Sequence, residues 1–83
     1  MAEQEITFHN NAEIKVQAQV YTGRTLVSTC LAAPGEIRTM PVRSTRYDIF
    51  FKDGATGWVI ARRLDSEIKS FTLSLLNGRY TIT

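Results

Sequence analysis

The sequence has little of what a disulfide framework or a metal site requires. Cys30 is the only cysteine and His9 the only histidine among 83 residues. A single cysteine excludes an intramolecular disulfide, on which small secreted domains commonly depend. Structural zinc sites draw four ligands mainly from cysteine and histidine. We therefore predict a disulfide-free chain from a reducing compartment, with no metal and no other cofactor.

Long apolar runs are also missing. A helix that spans a bilayer needs about 18 or more consecutive apolar residues, and no segment approaches this length. The start, MAEQEITF, is acidic, whereas a secretory signal begins with positive residues before an apolar block. We therefore expect a cytoplasmic protein without a transmembrane segment.

The residues that catalysis would need do not form a recognisable set. Cys30 lies in the apolar segment TLVSTCLAA, where a small packed thiol is the ordinary occupant, and His9 stands beside a turn signal. No pair of carboxylates is marked out by its spacing. The five glycines each accompany a turn, and none opens a helix that could hold phosphate. The sequence therefore predicts no catalytic residue and a protein that is not an enzyme.

What the sequence does contain is short segments that alternate between apolar and polar residues. In AEIKVQAQVY, residues 12–21, the apolar set begins at Ile14 and recurs at every second position to Val20. A period of two is typical of a strand with one buried face. We predict eight strands, at about 4–9, 12–21, 25–32, 36–42, 45–52, 57–63, 67–76 and 79–83.

Turn signals separate these segments at intervals of about ten residues, the spacing of a small β-sandwich or barrel. Asn77-Gly78 favours a two-residue hairpin turn, because both residues tolerate positive φ. Pro34-Gly35 favours a turn of the type in which glycine supplies the positive φ. Asn10-Asn11 is predicted as a further turn. The fold class is therefore all-β: one antiparallel β-sandwich or flattened barrel of about eight short strands, spanning residues 1–83.

The segment YDIFFKDGATGWVIARR, residues 47–63, carries the best candidates for a binding site. Alternation predicts that Tyr47 and Phe51 point into the core and that Phe50 points outward. In the facing strand the same rule places Trp58 and Arg62 on one side and Val59 on the other. Both faces of this hairpin are then partly apolar, which fits a pair that meets a second sheet, another subunit or a ligand.

A sugar site combines an aromatic ring with planar polar groups. We predict Trp58 as the platform, Asp53 and Arg62 as its polar partners, and Tyr47 or Phe50 as a flanking ring. The alternative is that Trp58 belongs to the core and packs against Phe51.

Basic residues suggest a second kind of ligand. Residues 1–36 contain two basic and four acidic side chains, and residues 37–83 contain eight basic and four acidic ones. Cations and rings together are the ingredients of a single-stranded nucleic-acid surface. The candidates are Arg38, Arg43, Arg46, Arg62 and Arg63, with Tyr47, Phe50 and Trp58. The small net charge of +2 makes this reading the less favoured one.

Two short stretches, ITFHNN and YDIFFKDG, resemble strand openings of aegerolysin-type β-sandwich proteins, which bind membrane lipids. The chain is much shorter than that family, and the shared residues are ordinary strand and turn residues. The resemblance implies a lipid headgroup as one further possible ligand and assigns no residue role.

The final segment, RYTIT, has no proline or lysine to discourage pairing with another strand. We therefore expect self-association into a homo-oligomer. The function predicted from the sequence is a non-catalytic, lectin-like recognition module that binds a carbohydrate or another surface ligand. Nucleic-acid binding and a purely structural or protein-interaction role remain as alternatives.

Overall fold

The computed structural model describes residues 4–83, and these residues form eight strands and no helix. Residues 1–3, the start of the predicted domain, lie outside the described part. The strands are β1 Gln4–Asn11, β2 Val16–Thr22, β3 Thr25–Ala32, β4 Ile37–Val42, β5 Tyr47–Asp53, β6 Val59–Ser66, β7 Ser70–Leu76 and β8 Arg79–Ile82. Each predicted strand overlaps one of these, so the prediction of about eight short strands is confirmed.

Two four-stranded sheets pack face to face. The first sheet has the order β4-β1-β7-β8 and the second has the order β3-β2-β5-β6. The only parallel pair among the described strands joins β1 to β7, with Thr7 opposite Ser70; the other pairs are antiparallel. The all-β sandwich predicted from the sequence is therefore confirmed.

The core lies between the sheets and is built from the residues that alternation assigns to the inner faces. Phe8 of the first sheet and Phe51 of the second have ring centroids 4.9 Å apart, and Phe71 lies 6.1 Å from Phe51. Tyr47 and Ile49 are also buried, as predicted. The buried apolar set is Ile6, Phe8, Ala12, Val16, Ala18, Val20, Ala32, Met40, Val42, Tyr47, Ile49, Phe51, Phe71 and Leu73.

Two of the predicted turns are present with the predicted geometry. Asn77 and Gly78 have φ of 53° and 76°, as the two-residue hairpin turn between β7 and β8 requires. At the β3–β4 corner, Gly35 has φ of 84° and the Glu36 N–H donates to the Ala33 carbonyl at 3.0 Å. Positive φ suits these residue types and disfavours most others.

The predicted turn at Asn10-Asn11 is wrong. Both residues belong to β1, and the chain reverses after them, before β2 begins at Val16. Asn10 is fully buried and donates its side-chain amide to the carbonyls of Ile14 and Ala32. Asparagine is common in turns, but here its side chain forms buried hydrogen bonds near the end of β1.

Strict alternation along β6 is also wrong. A shift in register between Phe51 and Lys52 places Phe51 opposite Ala61 but Lys52 opposite Val59. Because of this bulge, Val59 shares the outer face with Arg62, which pairs with Phe50. The first sheet covers the inner face of this hairpin, and its outer face is open.

Candidate functional site

An open cavity of about 360 Å³ lies on the outer face of the second sheet. Strands β2 and β5 form its floor, the β2–β3 turn and β6 form its sides, and the lining residues are Gln19, Tyr21, Gly23, Arg24, Asp48, Phe50, Lys52 and Val59. This volume is within the range of pockets that bind small ligands. The cavity is the candidate functional site of the described chain.

The register of β2 and β5 brings these side chains together. Gln19 lies opposite Phe50, and Tyr21 lies opposite Asp48. Because the neighbours of each of these residues point into the core, the paired side chains must share the outer face. Directly opposite residues on one face stand close enough to contact each other.

Two aromatic rings form the apolar part of the cavity. Tyr21 and Phe50 have centroids 5.6 Å apart and planes at 88°, an edge-to-face arrangement. This geometry is one of the favoured arrangements of aromatic pairs. Phe50 is half-buried, so the predicted outward direction of this ring is confirmed.

Gln19 carries an amide without its full set of partners. Its side-chain oxygen is buried and accepts no hydrogen bond within residues 4–83. An unpaired buried acceptor costs about 1–3 kcal/mol.

The polar wall of the cavity is unevenly charged. Arg24 and Lys52 supply two positive charges, and Asp48 supplies one negative charge. One oxygen of Asp48 accepts a hydrogen bond from the backbone N–H of Asp65 at 2.8 Å, which fixes this carboxylate against β6. The cavity therefore combines rings, an amide, a carboxylate and two cations.

The predicted site residues do not all meet at this cavity. Of the five, Phe50 lines it, and Arg62 lies opposite Phe50 on the same outer face. Tyr47 is 2% exposed and belongs to the core. Its ring packs edge-on against Phe71 at 6.4 Å, so it is placed as a core residue and not as a flanking ring.

Trp58 lies just before β6 and is 72% exposed. The alternative that it packs in the core against Phe51 is therefore wrong. Trp58 does not belong to the cavity lining. Asp53 caps the loop that precedes it, because its carboxylate accepts hydrogen bonds from Ala55 N at 2.8 Å and Thr56 N at 3.3 Å. Asp53 and Trp58 therefore lie at the two ends of an exposed loop. Val59, the residue after Trp58, lines the cavity.

The sequence prediction did not select Gln19, Tyr21, Arg24 or Lys52. The alternation of residues 12–21 was sufficient to place Gln19 and Tyr21 on one face, opposite the buried valines. That β2 pairs with β5 was not predictable from this pattern, because a period of two identifies the faces of a strand but not its neighbours.

His9 and Cys30, which were considered for catalysis, lie in different sheets. Cys30 is half-buried in β3. Burial raises the pKa of its thiol, and a hydrogen bond with the Ala18 backbone and the charge of Arg38 oppose this increase. Among residues 4–83, no three His, Cys, Asp or Glu side chains are grouped so that they could hold a metal ion.

The basic residues are distributed over both sheets. Arg38 belongs to β4 in the first sheet, whereas Arg62 belongs to β6 in the second. Several of these arginines have internal partners. Arg38 pairs with Glu36 at 2.9 Å, and Arg46 pairs with Asp65 at 3.1 Å and with Glu67 at 3.0 Å. Arg63 donates to the Ile82 carbonyl at 3.2 Å. This arrangement does not favour a continuous surface for a phosphate backbone.

No helix within residues 4–83 is long and apolar enough to cross a membrane. In comparisons with known proteins, no family model, curated protein or solved structure matches the chain. The resemblance of ITFHNN and YDIFFKDG to aegerolysin-type proteins therefore has no support from them.

Proposed function

We propose that the protein is a non-catalytic recognition module that binds a carbohydrate at the cavity on its second sheet. The observation that carries this proposal is the Tyr21–Phe50 ring pair, which lies among polar side chains of several kinds. A sugar ring has an apolar face and a rim of hydroxyl groups. The rings offer surface to the first, and the amide and charged groups offer hydrogen bonds to the second.

The strands under the cavity give the ligand a preformed site. Strands hold Gln19, Tyr21 and Phe50, so these side chains stand on a rigid sheet rather than on a loop. A site that needs little rearrangement loses less free energy when it binds. The proposed platform is therefore Phe50 with Tyr21, and not Trp58.

A glycan array tests the proposal. We expect binding by the wild-type protein and by Trp58→Ala, and loss of binding by Phe50→Ala. Trp58→Ala is the control, because it also removes an aromatic ring, but one that is exposed and lies outside the cavity lining. Far-UV circular dichroism checks that both variants keep their strands.

Two results would contradict this assignment. Loss of binding in Trp58→Ala alone would move the site to the exposed loop. A wild-type protein that binds no glycan, but binds lipid vesicles or single-stranded oligonucleotides, would favour the lipid headgroup or nucleic-acid alternative. Nucleic-acid binding would also weaken steeply as salt rises between about 50 and 200 mM.

We further propose a homo-oligomer and a cytoplasmic location. The position of β8 at the edge of the first sheet supports self-association, because edge strands have unpaired backbone groups. The single cysteine supports the location.

A further inference from the structure

We infer that the cavity selects a sugar that carries an anionic group, either a carboxylate or a sulfate ester. This inference rests on the proposed function and adds the charge of the ligand. It follows from the order of side chains along the outer face of β5 and from the partners that they already have.

Strand β5 presents an acid, a ring and a cation in a row. Asp48, Phe50 and Lys52 occupy alternate positions and line the same cavity. Alternate residues in a strand are about 7 Å apart, so the row is long enough to extend beyond both sides of one sugar ring. A sugar on Phe50 therefore has Asp48 at one side and Lys52 at the other.

At the Asp48 end of the cavity, the positive charge of Arg24 offsets the negative charge of Asp48. Tyr21 lies opposite Asp48, and the turn that carries Gly23 and Arg24 follows directly after the end of β2. This topology brings Arg24 to the Asp48 end of the cavity. Asp48 is also held by the Asp65 N–H at 2.8 Å. A hydroxyl group suits this end better than a second charge.

Lys52 is left at the opposite end. It lies opposite Gln17 in β2 and Val59 in β6, and neither neighbour is charged. An ammonium group has three donors and no acceptor. An anionic substituent on the sugar would satisfy these donors with charge-assisted hydrogen bonds, which are stronger than those of a hydroxyl.

Matched sugars test the inference by isothermal titration calorimetry. One set is glucose, glucuronate and glucose 6-sulfate, and a second is galactose, galacturonate and galactose 6-sulfate. We expect at least one anionic member to bind about tenfold more tightly than its neutral parent, as one hydrogen bond to a charged group would give. The better of the two anionic members identifies the group.

Lys52→Met should remove this preference, so that the anionic sugars bind no more tightly than their neutral parents. Arg79→Gln is the control, because it lowers the net charge equally but changes an exposed side chain of β8, in the first sheet. We expect this variant to keep the preference. A loss of preference in both variants would mean that overall charge is responsible, and would overturn the role of Lys52.

The outcomes separate the two proposals. Equal binding of neutral and anionic sugars, abolished by Phe50→Ala, would overturn the inference and leave the proposed function intact. If the array and both sets of sugars give no binding, the proposed function fails and the inference fails with it.

Discussion

At the scale of single residues, Asn10 is a buried polar side chain that makes three hydrogen bonds to the backbone. It is fully buried, and its amide nitrogen donates to Ile14 O at 2.9 Å and to Ala32 O at 3.0 Å. Its side-chain oxygen accepts from Ala12 N at 3.0 Å. One side chain therefore connects β1, the β1–β2 loop and the end of β3.

Asn10→Ala should lower the free energy of unfolding by about 3 kcal/mol, because it leaves buried backbone groups without partners. Urea denaturation measures this change. Asn11→Ala is the control: Asn11 is exposed and has a side-chain hydrogen bond to Ser74 Oγ at 3.3 Å. We expect its effect to stay within about 0.5 kcal/mol. Equal losses in the two variants would contradict the role of Asn10.

Tyr47 should make stability depend on pH in alkaline solution. Burial raises the pKa of its phenol, and the nearby Ser66 hydroxyl offsets part of this increase without forming a hydrogen bond of normal geometry. The unfolded chain therefore releases the proton first. The contribution to stability is intact below about pH 10 and is lost as the pH rises through the folded-state pKa.

Removing the Tyr47 hydroxyl tests this dependence of stability on pH. Tyr47→Phe should reduce the loss of stability above about pH 10, and at neutral pH it should change the unfolding free energy by less than about 1 kcal/mol. Urea denaturation at a series of pH values measures both. Tyr80→Phe, which leaves Tyr47 in place, should keep the alkaline loss. An unchanged pH profile in Tyr47→Phe would contradict the assignment.

At the scale of elements, the β3–β4 corner connects the two sheets and bonds to the end of β1. In addition to the turn bond from Glu36 N to Ala33 O, the Gly35 N–H donates to Asn10 O at 2.8 Å and Asn10 N donates to Glu36 O at 2.9 Å.

The Glu36 carboxylate accepts a hydrogen bond from Ala33 N at 2.6 Å. This last bond is the main reason that the pKa of Glu36 is lowered, and Arg38 contributes further. The stabilisation is present above the normal pKa of glutamate and is lost as the pH falls through the lowered value.

Gly35→Ala should destabilise the protein by about 1–2 kcal/mol, because alanine at positive φ is strained. A Cβ atom at this position would meet no atom within 4 Å, so the cost is conformational rather than steric. Gly35→Asn is the control, since asparagine adopts positive φ more readily. Thermal or urea unfolding should rank wild type first, then Asn, then Ala; the reverse order of the two variants would contradict this explanation.

Individual strands show what the sequence can and cannot predict. The alternation in β2 and the Asn77-Gly78 turn depend on local physics, and both were predictable. Asn10 was misread because its residue type suits a turn as well as a buried network. The bulge in β6 depends on its pairing with β5. No local sequence pattern therefore predicts that Val59 and Arg62 share a face. The cavity likewise depends on which strands are neighbours.

At the scale of the whole molecule, the two sheets that residues 4–83 form have four edge strands, and β8 is one of them. Tyr80 and Ile82 direct their backbone groups away from β7, because they alternate with residues that bond to it. Arg63 of the second sheet donates to the Ile82 carbonyl at 3.2 Å and so covers part of this edge. The remaining groups are where we expect a second copy to pair.

Sedimentation should therefore show species heavier than the 9.4 kDa chain, in proportions that depend on concentration. Thr81→Lys should reduce this association, because lysine on an edge strand opposes pairing. Thr29→Lys, on the β3 edge of the second sheet, is the matched control and should not reduce it. A 9.4 kDa species alone over a wide concentration range would contradict self-association.

The parallel pairing of β1 with β7 has a consequence for protein synthesis. The residues that it joins are far apart in the chain; Asn11 and Ser74, for example, are separated by 63 positions. On the ribosome, β1 can pair early with β4, but its other edge has no partner until β7 emerges. Contacts between distant parts of a chain form slowly. Until β7 emerges, the nascent chain therefore carries an exposed edge on β1, and the first sheet is complete only once β7 and β8 have been made.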